Sequence, residues 1–153
     1  MKITRTTTGN EPVVNTQIKD RFGIDYTEHD DMITTMIQSA RRAIENYLGV
    51  SIPATTVTVK IDNYDTPFLL PYGPVLSFTK FEIDGVEADE PEDEYVRSGT
   101  SLDAVYTAGL EDYAVNEAII QLVGIWYDQK EQSGAIPDSI KIMIEPLSRN
   151  LFI

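Results

Sequence analysis

The stretch Val105 to Gln132 (VYTAGLEDYAVNEAIIQLVGIWYDQKEQ) constrains this chain more than any other. It reads as a short strand, a glycine turn and then the longest apolar helix of the sequence. With Val115 set at zero and about 100° per residue, Ala118, Ile119, Leu122, Val123 and Trp126 fall on one face, the spacing of a stripe that must be buried. Ile120 and Tyr127 lie well round the cylinder from that stripe, with Gly124 just beyond them. The polar sector therefore shrinks to Glu117, Gln121 and Asp128. A helix so nearly apolar all round has two ways to be covered. Either it is a central core helix, or the face carrying Ile120, Gly124 and Tyr127 packs on a neighbouring subunit, and the pattern leaves both open.

A chain of 153 residues with 42% hydrophobic side chains supports one domain with a real core and is short for two. Cysteine is absent, which removes disulfides, cysteine nucleophiles and thiolate metal sites and fits a reducing compartment. Such a fold must hold by packing. No segment approaches the roughly 18 consecutive apolar residues of a membrane span, and the polar start does not read as a signal peptide, so a soluble, intracellular protein without a membrane partner is expected. The formal charge is −13, from 12 basic and 25 acidic residues. Phosphate binding needs clustered Lys and Arg, so this balance predicts repulsion from nucleic acid.

Residues 1–14 (MKITRTTTGNEPVV) show no helical period and read as an extended N-terminal arm, either disordered or loose until something binds it. Asn15 is a capping residue for a short helix over 16–22, with Ile18 and Phe22 inward and Gly23 as the stop. Thr27 with Asp30 three residues on predicts the start of a long helix over 28–48. Met32, Ile33, Met36, Ile37, Ala40, Ala43, Ile44, Tyr47 and Leu48 form its apolar arc, and Arg41, Arg42 and Glu45 lie opposite. After Pro53 the period becomes two, with Val57, Val59 and Ile61 in a half-buried strand. Further strands are expected up to residue 107, with Asp84-Gly85 as a hairpin turn. From Glu87 to Glu94 (EADEPEDE) six of eight residues are acidic, a run no core can hold. Helices over 113–131 and 137–145 follow, the latter opened by Pro137 and bent or ended by Pro146. The last residues, SRNLFI, leave Leu151, Phe152 and Ile153 on a free end that packs on the chain itself or in a partner's groove. The expected fold is α+β: mainly a helical bundle of a short helix, a long helix, a long C-terminal helix and a last helix, with a small antiparallel sheet or hairpin inserted between them. A single domain over 15–148 is expected to carry it.

No catalytic constellation emerges. His29 is the sole histidine and no G-x-S-x-G motif exists, so a histidine triad has no support, and a first-turn histidine reads as solvated. Asp89 to Glu94 has enough oxygens for Ca²⁺ but lacks the alternating acids and glycine of an EF-hand loop, and a solvated loop fits it better. No glycine-rich phosphate loop is present. Tyr64, Phe68, Phe78 and Phe81 lie among acidic or apolar residues, which reads as core and not as a base-stacking surface. The expectation is no enzyme activity, no cofactor and no metal. An arm, a charged loop and an apolar tail that the domain does not itself satisfy are features of assembly.

Two blocks carry a family resemblance: DDMITTMIQSARRAIENYLGV at Asp30 to Val50 and VYTAGLEDYAVNEAIIQLVGIWYDQKEQSG at Val105 to Gly134. The first has two acids, an apolar stripe and Ala-x-x-x-Ile-Glu-x-Tyr-x-Gly; the second runs from Tyr-Thr-Ala-Gly into Ala-Ile-x-x-Leu-Val-x-x-Trp-Tyr. In order and spacing they resemble the head-tail connector (adaptor) proteins of tailed bacteriophages, over about residues 15–148. The resemblance implies a virion structural protein, made in the host cytoplasm and placed in the neck. There it would form a ring matching the portal's twelvefold symmetry and extend the DNA channel toward the tail. The partners implied are the portal protein, copies of the chain itself, a tail-side neck or tail-completion protein, and genome DNA only as passing, repelled cargo. On that basis Arg149, Leu151, Phe152 and Ile153 are candidate contacts to the portal or a neighbour, and Ile120, Gly124 and Tyr127 are candidate subunit contacts. Glu87, Asp89, Glu90, Glu92, Asp93 and Glu94 are placed on a hairpin tip and either line the channel or face solvent on the outer rim. The long arm and the acidic run depart from the family pattern. The alternative function is a monomeric small-ligand or cation-binding module using the acidic loop; a small hydrolase built on acid pairs has no spacing to support it.

Overall fold

The structure, a computed structural model, describes residues 1–130 and 134–149. The chain groups into two compact units, Met1–Asn10 with Val50–Leu110, and Glu11–Gly49 with Glu111–Ile153.

The first unit is a β structure. Its strands are β1 (Lys2–Thr7), β2 (Thr55–Ile61), β3 (Phe68–Leu69), β4 (Val75–Ile83), β5 (Val86–Glu87), β6 (Tyr95–Val96) and β7 (Leu102–Ala108). Five form an antiparallel sheet in the order β1-β2-β7-β4-β5, and β3 pairs with β6 in a second, two-stranded sheet. Period two in β2 and β7 sends Val57, Val59, Ile61, Leu102, Ala104, Tyr106 and Ala108 to one buried face. Tyr106 closes that core by donating its hydroxyl to the Pro71 carbonyl at 2.5 Å. The blurred alternation of β4 has a physical cause. Register shifts between Val75 and Ser77 and between Phe78 and Lys80 turn both Phe78 and Phe81 toward the core.

The expectation of a mainly helical bundle with a small inserted sheet is therefore overturned. The sheet is five-stranded and is the scaffold of its own unit. It was underestimated because the N-terminal stretch is not a loose arm. Lys2 to Thr7 pairs along its whole length with Lys60 to Thr55. Its threonines are β-branched and fit a pleated surface, and Ile3 packs against the core.

The second unit holds the helices α1 (Asn15–Phe22), α2 (Asp30–Leu48), α3 (Tyr113–Gln129) and α4 (Asp138–Ile144), the last running into a 3-10 turn, Glu145–Leu147, at Pro146. The Asp112 carboxylate caps α3 by accepting the Ala114 N–H at 2.8 Å. Helix α1 ends on Gly23, whose left-handed conformation (φ 67°) a side chain would disfavour. Helix α2 opens at Asp30, without a side-chain cap, and Thr27 serves only as a turn acceptor for the Asp30 N–H.

Arg41 and Glu45, assigned by helical phase to the outer face, are buried instead. Their side chains are only 7% and 4% exposed, and Arg41 Nη1 donates to Glu45 Oε1 at 2.7 Å. Arg41 Nη2 and Nε donate to the two oxygens of Glu11 at 2.7 and 3.1 Å, so residue 11 is tied down as well. Burial alone would lower the Arg41 pKa, but the hydrogen bonds to Glu11 and Glu45 outweigh it and hold the guanidinium charged. Replacing Arg41 by Met strands a buried carboxylate and is expected to cost about 3–5 kcal/mol in urea unfolding, whereas Arg41→Met with Glu45→Leu is expected to regain most of that loss. An unfolding midpoint unmoved by Arg41→Met would show that the pair holds nothing.

Candidate assembly surfaces

Helix α3 is covered by its own unit. Val115, Ala118, Ile119, Leu122, Val123 and Trp126 are buried as the periodicity requires. Ile120 and Tyr127, offered above as subunit contacts, are also buried, at 7% and 8% exposure, which leaves little of either for a neighbour. Gly124 is buried too, because the Phe22 ring of α1 lies where its β-carbon would be. The small residue permits a close approach that any larger one would block.

Around Tyr127 lies a polar cluster that the helical pattern did not disclose. Its hydroxyl shares hydrogen bonds with the Tyr26 hydroxyl at 2.5 Å and with His29 Nδ1 at 2.8 Å, and Lys130 Nζ sits 3.6 Å from the centre of its ring. His29 is thus not a solvated residue. The bond to Tyr127 is also the main reason the Tyr26 phenol is pushed up from its ordinary pKa. The signal of the cluster is the shared position of aromatic and imidazole groups at two helix ends, which needs the fold.

The acidic run is not on a hairpin tip. The tip is Asp84-Gly85, both with positive φ, and the Asp84 carboxylate accepts N–H groups from Thr100 and Ser101 at 3.0 and 2.9 Å. The run instead follows β5 and lies along the outer edge of β4. The Ala88 N–H donates to the Phe81 carbonyl at 3.1 Å at one end, and the Glu94 carboxylate accepts the Val75 N–H at 2.5 Å at the other. Asp93 is paired with Arg97 at 2.5 and 2.9 Å, and that hydrogen-bonded guanidinium holds its pKa down at about 2. Glu87, Asp89, Glu90 and Glu92 are exposed. A charged, proline-containing cover of this kind blunts a sheet edge that would otherwise template other strands.

Strand register reveals a further arrangement. On the solvent face, Lys2 lies opposite Lys60, Lys60 opposite Asp103, Asp103 opposite Glu82, and Glu82 opposite Glu87. One row thus crosses all five strands with two positive charges at the β1 end and three negative charges at the β5 end. Lys80 Nζ, 2.7 Å from Asp103 and 3.8 Å from Glu82, neutralises the middle. Among the described residues, no carboxylate pairs with Lys2 or Lys60 and no cation pairs with Glu87.

Of the candidate tail contacts, Arg149 is partly buried and its N–H donates to the Leu48 carbonyl at 2.7 Å. Leu151, Phe152 and Ile153 lie outside the described residues. Among the described residues no group of three or more His, Asp or Glu side chains is gathered for a metal ion, and no helix is long and apolar enough to cross a membrane.

The fold matches a chain in the neck of an empty gene transfer agent particle computed with C6 symmetry, at TM-score 0.70 and 15% identity over 97% of this chain and 95% of that one. It matches equally a chain in the virion of the native gene transfer agent particle, with the same values, and one in the neck of that native particle computed with C12 symmetry, at TM-score 0.69, 14% identity and the same coverage. No curated protein matches the chain. The sequence model of the head completion protein family matches residues 13–145, and the chain belongs to that family. The connector resemblance of the two helical blocks is borne out by this match.

The acidic run yields a direct test. Replacing Arg97 by Gln is expected to return the Asp93 carboxyl from about 2 toward the ordinary carboxylate range, followed by NMR titration of its side chain. Because the folded pKa is depressed, whatever stability the pair contributes is present above the ordinary range and lost as pH falls through about 2. An Asp93 titration indifferent to Arg97 would show the pair to be absent in solution.

Proposed function

We propose that this chain is a structural head-tail adaptor of the virion neck, present as a ring of copies between portal and tail that extends the DNA channel. The observation that carries the proposal is the match of residues 13–145 to the head completion protein family. The likeness of fold to neck chains in particles computed with C6 and C12 symmetry supports a ring of copies. A formal charge of −13 suits a wall past which DNA must slide, since clustered cations would hold its phosphates.

We assign the portal contact to the apolar tail Leu151, Phe152 and Ile153. Arg149, two residues before that tail in sequence, is fastened by its backbone to the end of α2. Ending the chain after Arg149 keeps that anchor. The shortened chain is expected to keep its melting temperature and lose at least tenfold in co-purification with the portal protein. Undiminished portal binding would remove the assignment. Electron microscopy of particles that places this chain anywhere other than the neck would remove the function itself.

A further inference from the structure

We propose that copies of this chain join head to tail through opposite edges of the five-stranded sheet, the β1 edge of one copy lying against the β5 edge and acidic run of the next. The inference rests on the ring proposed above and names the surfaces that form it. Three observations carry it.

The first is the polarity of the charge row. Like charges directly opposite one another in a sheet are destabilising, yet Lys2 faces Lys60 at one edge and Glu82 faces Glu87 at the other. Lys80 pairs with Asp103 and Glu82, and among the described residues it leaves Glu87 at one end and Lys2 and Lys60 at the other without an ion-pair partner. A second copy set beside the first puts Lys2 against Glu87 and continues the row with opposite charges in contact.

The second is the state of the two edges. β1 pairs with β2 alone, so its outer edge presents a row of backbone groups six residues long. The opposite edge is dressed with exposed Asp89, Glu90 and Glu92 beyond Glu87. One edge is basic with open backbone donors, and the other is acidic.

The third is what the same charges forbid. A twofold contact of β1 with β1 brings lysines together, and a contact between two acidic edges brings carboxylates together. Both self-complementary arrangements are repulsive, and only the heterologous one is attractive. Heterologous contacts propagate, and they close into a ring when the rotation per copy allows. The electrostatics of a single sheet therefore select the kind of symmetry that a neck ring requires.

The natural absence of cysteine makes the test clean. In assembled particles carrying Lys2→Cys and Glu87→Cys in the same chain, a short bis-maleimide is expected to give a ladder of cross-linked multimers, because each copy offers both halves of the contact. Either cysteine alone is expected to give no ladder. Dimers from Lys2→Cys alone would indicate a twofold contact, and a cross-link to a different neck protein would give that edge to another partner; each overturns the proposal. So does the lack of any ladder in particles whose neck ring is visible by microscopy. If microscopy of wild-type particles shows no ring of this chain, the proposed function fails instead, and the two failures are told apart. A charge swap offers an independent reading. Lys2→Glu, which sets an acid opposite Lys60, is expected to lower incorporation of the chain into particles several-fold without lowering its melting temperature, and adding Glu87→Lys to restore it; a swap that restores nothing counts against the contact.

Discussion

The architecture of the helical unit depends on the need to bury α3 on nearly every side. A chain without cysteine has only packing to hold such a helix, and each large apolar side chain taken fully out of water contributes roughly 1.5–3 kcal/mol. Trp126, Ile119 and Leu122 are among the largest fully buried side chains, and all three lie on α3. Helices α1, α2 and α4 each pack against it. The second apolar face needs its own cover, and α1 supplies it by laying the Phe22 ring over Gly124. Arg21 then fastens α1 in place with a bidentate bond to Glu117 on α3, at 2.7 and 2.9 Å, which holds the Glu117 carboxyl at about 2. The near absence of a polar sector on α3 thus dictates where its neighbours go.

This burial moves the question of assembly away from the long helix. A face that seemed to need a neighbouring subunit is satisfied within the chain, so the surfaces left for partners are polar or lie at edges. The sheet has a different economy. Its core face is closed by Val57, Val59, Tyr106 and Phe81, while its solvent face carries threonines and the charge row. Within one copy Lys80 satisfies the middle of that row, and its ends, Lys2, Lys60 and Glu87, are the charges on which the proposed contact between copies rests.

Helix periodicity was legible because it is local: the cores of α2 and α3 follow from spacing alone, and so did Pro146 as the end of α4. What was lost depended on pairing. β1 was missed because Thr4, Thr6 and Thr7 look like loop residues until a partner strand gives them a face. β3, β5 and β6 are two residues each, below the length at which alternation can be seen. Arg41 and Glu45 fell on the polar side of the helical wheel, and only the position of Glu11 makes their burial tolerable. The charge row is the extreme case. Lys2, Lys60, Glu82, Glu87 and Asp103 are unremarkable surface residues in sequence, and four strand registers are needed before they form a line.

Exposed ion pairs are worth about 0–1 kcal/mol each, and salt screens them further. A contact made of a few such pairs and one strand edge cannot hold two free copies together at ordinary concentration. It can hold copies that something else has already brought to the same circle, because a tethered neighbour acts at high effective concentration. On this view the portal does the gathering through the apolar tail and the sheet edges supply direction and spacing. Weakness is then the useful property, since a strong edge contact would let rings or open filaments form before a capsid was ready. The polarity of the row, and not its strength, is what a neck subunit needs from it.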